Sequence, residues 1–147
     1  MNEEIVIRAI VPSDAAAIAA LSAELGYPAS AGEMKERIRA LEMLPDHAIY
    51  AACLANRVVA WIDVSIVQHL ASAPFGEIGG LVVSGDFQGR GIGALLVERA
   101  EQWVASRGVS KVVVRSRSTR KSAHEFYRKQ DFERWKTQEV FRKDLAL

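Results

Sequence analysis

Apolar and polar residues alternate over Ile5 to Ile10, which predicts a short strand. Pro12-Ser13-Asp14 then supplies a helix start, and Ile18, Leu21 and Leu25 continue it at helical spacing until Gly26-Tyr27-Pro28. A second helix is expected from near Ser30 to Pro45, with Met34, Ile38, Leu41 and Met43 on its apolar stripe. The runs Ala48–Leu54 and Arg57–Val67 form a hairpin turning at Ala55-Asn56, and Val58, Ala60, Ile62, Val64 and Ile66 fall on one face of the second run. Residues 68–76 are expected to be a loop, and Glu77 to Val83 a further strand. From Ile92 to about Arg107, Leu95, Leu96, Ala100, Trp103 and Val104 recur at core spacing before Gly108. Val112-Val113-Val114 is continuously apolar, as a strand buried on both faces would be. Strand, helix and strand over 77–116 make a right-handed crossover. A short helix near Ser122–Lys129 and strands near Phe132–Trp135 and Thr137–Leu145 close the chain. The order βααβββαβαββ describes one α/β (α+β) domain over residues 1–147, with a mixed sheet of about six to seven strands and about four helices.

Composition narrows the function classes. No apolar run approaches the roughly 18 residues of a membrane span. Met1-Asn2-Glu3-Glu4 lacks the basic and apolar stretch of a secretory leader, and Cys53 is the single cysteine, so a reducing, cytoplasmic setting is expected. Residues 1–86 hold 11 Asp/Glu against 5 Lys/Arg, while residues 111–147 hold 11 Lys/Arg against 5 Asp/Glu. That asymmetry suits an anionic cofactor and a cationic substrate, although solvated faces of blocked charge would read the same way. Nucleic acid is not expected, because the basic residues lack an aromatic stacking stripe. His47, His69 and His124 have no ligand-like spacing and no metal is expected, while Cys53 reads as a core thiol.

The stretch Gln88-Gly89-Arg90-Gly91-Ile92-Gly93 follows an apolar strand and opens a helix. The first N–H groups of a helix have no intrahelical partner, and its dipole adds positive potential there, so the turn is a cradle for phosphate. A Walker A loop needs a Gly-Lys-Ser/Thr run that is absent. A dinucleotide fingerprint is satisfied by Gly89, Gly91 and Ala94, but the turn lies five residues past Val83 and the ribose-binding acid is missing at Val112–Arg115.

A third pattern accounts for more. Gln88-x-x-Gly91-x-Gly93 resembles the acyl-CoA pyrophosphate loop of the GNAT superfamily of N-acetyltransferases. Phe126-Tyr127-Arg128-Lys129-Gln130-Asp131-Phe132 is similar to that superfamily's F-Y-x-x-x-G-F element, and Phe141–Leu145 to its last strand. The resemblance covers essentially the whole chain. It implies the GNAT fold, with the sheet splayed at its parallel pair. It also implies acetyl-CoA as co-substrate, pantetheine along Leu81, Val82 and Val83, and pyrophosphate on Gln88, Gly89, Arg90, Gly91, Ile92, Gly93 and Ala94. Arg120 stands where an asparagine often precedes the tyrosine helix, and it or Lys121 could meet a phosphate instead. Asp131 replaces the usual glycine, and Asp tolerates a left-handed turn.

Acetyl transfer to an amine needs a base, an oxyanion donor and a proton for the departing thiolate. Glu77 is the candidate base: strand alternation puts it on a face with Gly79, Leu81 and Val83. It precedes Gly91 by the spacing of the glutamate in the superfamily's histone-acetylating branch. The alternative is a strand-edge carboxylate, solvated or paired with arginine. Tyr127 matches the tyrosine that protonates the thiolate, its alternative being a core aromatic beside Phe126. A backbone N–H near Val82 or Val83 would serve the oxyanion. The acceptor end would be lined by residues 25–45 and 68–76, where Glu33, Glu36, Glu42 and Asp46 favour a small cationic amine, an aminoglycoside among the candidates. Protein N-terminal or lysine acetylation, and an acyl-CoA sensor without turnover, are the alternatives. A monomer or homodimer is expected.

Overall fold

The alternating segment Ile5–Ala9 forms strand β1, and after a tight turn at Pro12–Asp14 come helices α1 (Ala15–Glu24) and α2 (Ala31–Glu42). Strands β2 (His47–Leu54), β3 (Arg57–His69) and β4 (Ser72–Val83) follow, then helix α3 (Ile92–Ser106), the short strand β5 (Val112–Val114) and helix α4 (Lys121–Lys129). The computed structural model describes residues 4–24, 26–116 and 121–147, so Leu25 and Arg120 lie outside the described residues. The chain divides into two compact units, Met1–Arg115 and Ser116–Leu147.

In the first unit the five strands form one sheet in the order β1-β2-β3-β4-β5. The first three junctions are antiparallel, and α3 carries the chain over to the parallel β4–β5 pair. One face is covered by α1 and α2, whose Ala15, Ile18, Leu21 and Ile38 pack with Ala51, Cys53, Val58 and Val82. Helix α3 buries Ile92, Leu96, Val97, Ala100 and Val104, and Gly76 of β4 lies directly beneath Val104. Local chemistry sets the helix starts. Ser30 accepts from the Glu33 N–H at 3.0 Å and Glu33 accepts from the Ser30 N–H at 3.2 Å, closing a capping box ahead of α2. Asp14 accepts two hydrogen bonds from Arg8, at 2.7 and 2.8 Å, and one from the Val11 N–H at 2.9 Å. Those bonds, the guanidinium's first, hold its carboxyl below the ordinary value of 3.8 despite its burial.

The β2–β3 hairpin turns where expected. Ala55 and Asn56 both have left-handed φ, 49° and 65°, as a two-residue turn matched to strand twist requires. Two bulges change what alternation predicts. Ala52 pairs with Ala60 but Cys53 with Val58, so Val59 is an extra residue and Val58 moves to the α1/α2 face. Asp63 pairs with Gly80 but Val64 with Ile78, which makes Gly79 the extra residue of β4.

The expected loop over 68–76 is instead almost all strand. β3 continues to His69 and β4 begins at Ser72, with Val67 opposite Phe75. A register shift between Val67 and His69, and Pro74 with no N–H to give, hide this pairing from a periodicity reading. The sheet accordingly has five strands among the described residues, rather than six to seven.

In the second unit, α4 ends in an αL cap at Asp131, φ 66°. The Phe132 N–H reaches the Tyr127 carbonyl and the Asp131 N–H the Arg128 carbonyl, both at 3.0 Å, the paired bonds of a Schellman motif. The Tyr127 and Phe132 rings meet edge-on at 5.6 Å, the apolar contact that accompanies such a cap. The spacing Phe-Tyr-x-x-x-Asp-Phe is therefore a helix ending, with Asp serving where glycine is usual. The strands expected near Phe132–Trp135 and Thr137–Leu145 do not form: residues 132–147 are without regular structure, and Val140 and Phe141 are 88% and 92% exposed. Alternation alone does not make a strand. Its backbone groups need a paired neighbour, and the described part of this unit contains no second strand.

Candidate active site

β5 pairs with β4 only across Gly76, Glu77 and Ile78, while β4 runs on to Val83. The parallel pair thus opens into a fork just where the Gly79 bulge sits. The Ser84 N–H bonds to the Val59 carbonyl at 2.9 Å, which fixes the phase of β4. By alternation Val82 turns its main chain toward β3, whereas Leu81 and Val83 turn theirs toward the fork. Of the two N–H groups named for an oxyanion, only that of Val83 points there. The Val83 carbonyl accepts from Gln88 Nε2 at 3.2 Å, so the Gln88 side chain is turned back onto the strand end.

Beyond Val83 the chain passes through a single tight turn, Gly85–Phe87, into the glycine segment. The Gly85 N–H is held by Glu24 at 2.8 Å, tying this turn to the end of α1. Gly89 and Gly91 both have φ of 78°, and among the described residues nothing lies within 4 Å of a Cβ at either, so the backbone conformation and not space demands glycine. Gly91 is the N-cap of α3, with its carbonyl accepting from Leu95 at 3.2 Å. The N–H groups of Ile92, Gly93 and Ala94 belong to that helix's first turn and have no intrahelical acceptor. The Arg90 guanidinium stacks on Phe87 at 5.0 Å, and Arg57 approaches the same ring at 5.4 Å. Strand end, glycine turn and helix start therefore come together, with the first N–H groups of α3 at their meeting point.

Glu77 lies at the root of the fork, its side chain 25% exposed, with Oε1 accepting from Arg115 Nε at 2.7 Å. The bulge alters its surroundings. Glu77 pairs with Ser65 and Val82 with Trp61, so Glu77 shares its face with Gly80 and Val82. Leu81 and Val83, opposite Ile62 and Ala60, are on the α3 face instead, contrary to simple alternation. On the Glu77 face stand three polar residues that sequence reasoning did not assign: His47, Asp63 and Ser65. His47 and Ser65 are register partners, as are Ser65 and Glu77, so the three form one row across β2, β3 and β4. His47 Nε2 hydrogen-bonds Asp63 Oδ1, and both side chains are mostly buried. Trp61, next along β3, buries an indole N–H that has no acceptor among the described residues. The available signal was the inward polar run Trp61-x-Asp63-x-Ser65 of a core strand, legible only once its register was known.

Tyr127 lies in α4 of the second unit, edge-on to Phe126 at 5.2 Å as well as to Phe132. Arg120 is outside the described residues. Among the described residues no group of three His, Cys, Asp or Glu side chains could hold a metal ion, and no helix is long and apolar enough to cross a membrane.

A model of the acetyltransferase (GNAT) family matches residues 15–132. An aminoglycoside N(6')-acetyltransferase type 1 from Stenotrophomonas maltophilia is 29% identical over 144 residues, 95% of this chain and 93% of the relative. Among solved structures, an aminoglycoside N-acetyltransferase in complex with CoA superposes with a TM-score of 0.87 at 16% identity, covering 99% of this chain and 98% of the other. A glucosamine-6-phosphate N-acetyltransferase from Arabidopsis thaliana gives 0.84 at 23% identity, over 97% and 100%. At those identities the likeness is one of fold.

Proposed function

The chain belongs to the GNAT acetyltransferase family, and from that membership we propose that residues 1–147 are one domain that acetylates a small cationic amine, of aminoglycoside type, through the fork between β4 and β5. The observation that carries this reading is the end of the parallel pairing at Ile78, with the glycine-capped start of α3 just beyond Val83. An acyl-CoA needs a slot for pantetheine and an anion cradle at its end. Leu81 and Val83 present main-chain donors and acceptors to the slot, and Gly89, Gly91 and the first N–H groups of α3 form the cradle.

Acetyl-CoA is the co-substrate and supplies an activated thioester carbonyl. The acceptor enters as an ammonium, and with a pKa near 10.4 only about 0.1% of it is neutral near pH 7.4, a deficit of about 4 kcal/mol. Glu77 is the proposed proton acceptor, directly or through water, and Arg115 orients its carboxylate by holding Oε1. The neutral nitrogen then attacks the carbonyl carbon. A C–N bond forms, the C–S bond breaks with its electron pair on sulfur, and the nitrogen gives up a further proton to water. A main-chain N–H of β4 that is turned toward the fork would receive the carbonyl oxygen as charge develops. Tyr127 is the proposed proton donor to the thiolate, on the strength of its motif. The aminoglycoside acceptor is supported by the named activity of the Stenotrophomonas relative and by the carboxylates beside the fork.

Thermal unfolding tests the cofactor. Acetyl-CoA should raise the melting temperature, by mass action on the native state, and NADPH should not. A shift with NADPH and none with acetyl-CoA would falsify the reading.

A further inference from the structure

The inward face of β3 at the fork is polar where a sheet packed for stability alone would be apolar. Asp63 sits opposite the Gly79–Gly80 bulge, two residues along β3 from the partner of Glu77. That makes Asp63 and Glu77 diagonal neighbours, a relation that spans about 7–8 Å across an antiparallel pair. A Cβ on Gly79 would stand 3.2 Å from Asp63 Oδ2, and one on Gly80 would meet the Trp61 ring at 2.9 Å. Two glycines in succession thus leave a hollow over these side chains, and Gly79 itself is exposed. The other oxygen of Asp63 is held across the strand pair by His47 Nε2. That bond fixes where the Asp63 carboxyl group points.

We propose that Asp63 receives the ammonium group of the acceptor at the root of the fork, through Oδ2, and that His47 is the residue that positions it. The assignment rests on the acetyltransferase reading above and adds the acceptor's anchor to it. Glu77 has one oxygen engaged with Arg115, whereas Asp63 offers its second oxygen at the glycine hollow. A cationic amine bound there is held between two carboxylates, one that orients it and one that takes its proton. Asp63 and His47 also tie β2 to β3, so a structural role has to be separated from an acceptor role by the kinetics.

The test is steady-state acetylation of kanamycin and of spermidine, followed by thiol release, in wild type and four variants. Asp63→Asn should lower kcat/KM for the amine by about 10- to 100-fold, the loss expected of one charge-assisted hydrogen bond, mainly through KM. The KM for acetyl-CoA should stay within about twofold. His47→Gln, which keeps a donor at the position of Nε2, should retain most of the activity that His47→Ala loses. Should Asp63→Asn fail to fold, Gly79→Ala provides the same test from the other side, because its methyl crowds Oδ2 and should raise the amine KM. An unchanged amine KM in these variants, or equal losses for amine and acetyl-CoA, overturns the assignment. No thiol release by the wild type with any cationic amine would instead overturn the reading on which it rests.

Discussion

Replacing Gly91 by alanine tests the anion cradle at its most constrained point. Gly91 has φ 78° and ψ 8°, and it is the N-cap of α3. No atom of the described residues lies within 4 Å of the added Cβ, so crowding by them contributes nothing. The cost is the left-handed backbone alone, about 1–2 kcal/mol for a non-glycine residue. For a chain of this size that is a fall in melting temperature of roughly 3–8 °C. If the residue escapes strain by moving to negative φ, the first N–H groups of α3 turn away from the ligand. Each charge-assisted hydrogen bond so lost weakens acetyl-CoA binding by about tenfold or more. Gly91→Asn is the control, since asparagine visits this conformation more readily and should lie between alanine and wild type in both respects. Thermal unfolding with and without acetyl-CoA, paired with titration calorimetry, reads both quantities. A Gly91→Ala protein that melts with wild type and binds acetyl-CoA equally well would refute the reasoning.

Three further outcomes are expected. Glu77→Gln should reduce turnover by about 10²–10⁴-fold while leaving acetyl-CoA affinity nearly intact, and turnover unchanged from about pH 6 to 9 would remove Glu77 from the mechanism. Asp14 has its carboxyl held below 3.8 by Arg8, so its contribution to stability is present above that pH and fades as pH falls through the lower folded value. Denaturation midpoints should show wild type ahead of Asp14→Asn at neutral pH, with the gap closing below about pH 4; a constant gap contradicts the linkage. Gly76→Ala should cost about 1–3 kcal/mol, because its Cβ overlaps the fully buried Val104. Combining it with Val104→Ala should restore part of that loss, and strictly additive losses in a double-mutant cycle would contradict the contact.

Features with a local cause were legible in the sequence. Left-handed backbone at Gly89, Gly91 and Asn56 follows from residue chemistry at a turn, and Ser30 with Glu33 closes its capping box within four residues. Asp131 belongs here too, since its tolerance of the left-handed region lets α4 end on schedule. What stayed hidden depends on partners far along the chain. Gly79 becomes a bulge only through the pairing of β4 with β3, and that extra residue moves Leu81 off the Glu77 face. His47 and Asp63 are sixteen residues apart and meet only through β2–β3 register. Over Thr137–Leu145 the error ran the other way: alternation marked a strand, but nothing local supplies the neighbour a strand requires.

The most direct test of amine acetylation is thiol release from acetyl-CoA across a panel of aminoglycosides, polyamines and peptides, with acetylated product identified by mass. Stoichiometric thiol and N-acetyl product with one or more small cationic amines is the expected result. Tight acetyl-CoA binding with no thiol released by any acceptor would contradict it.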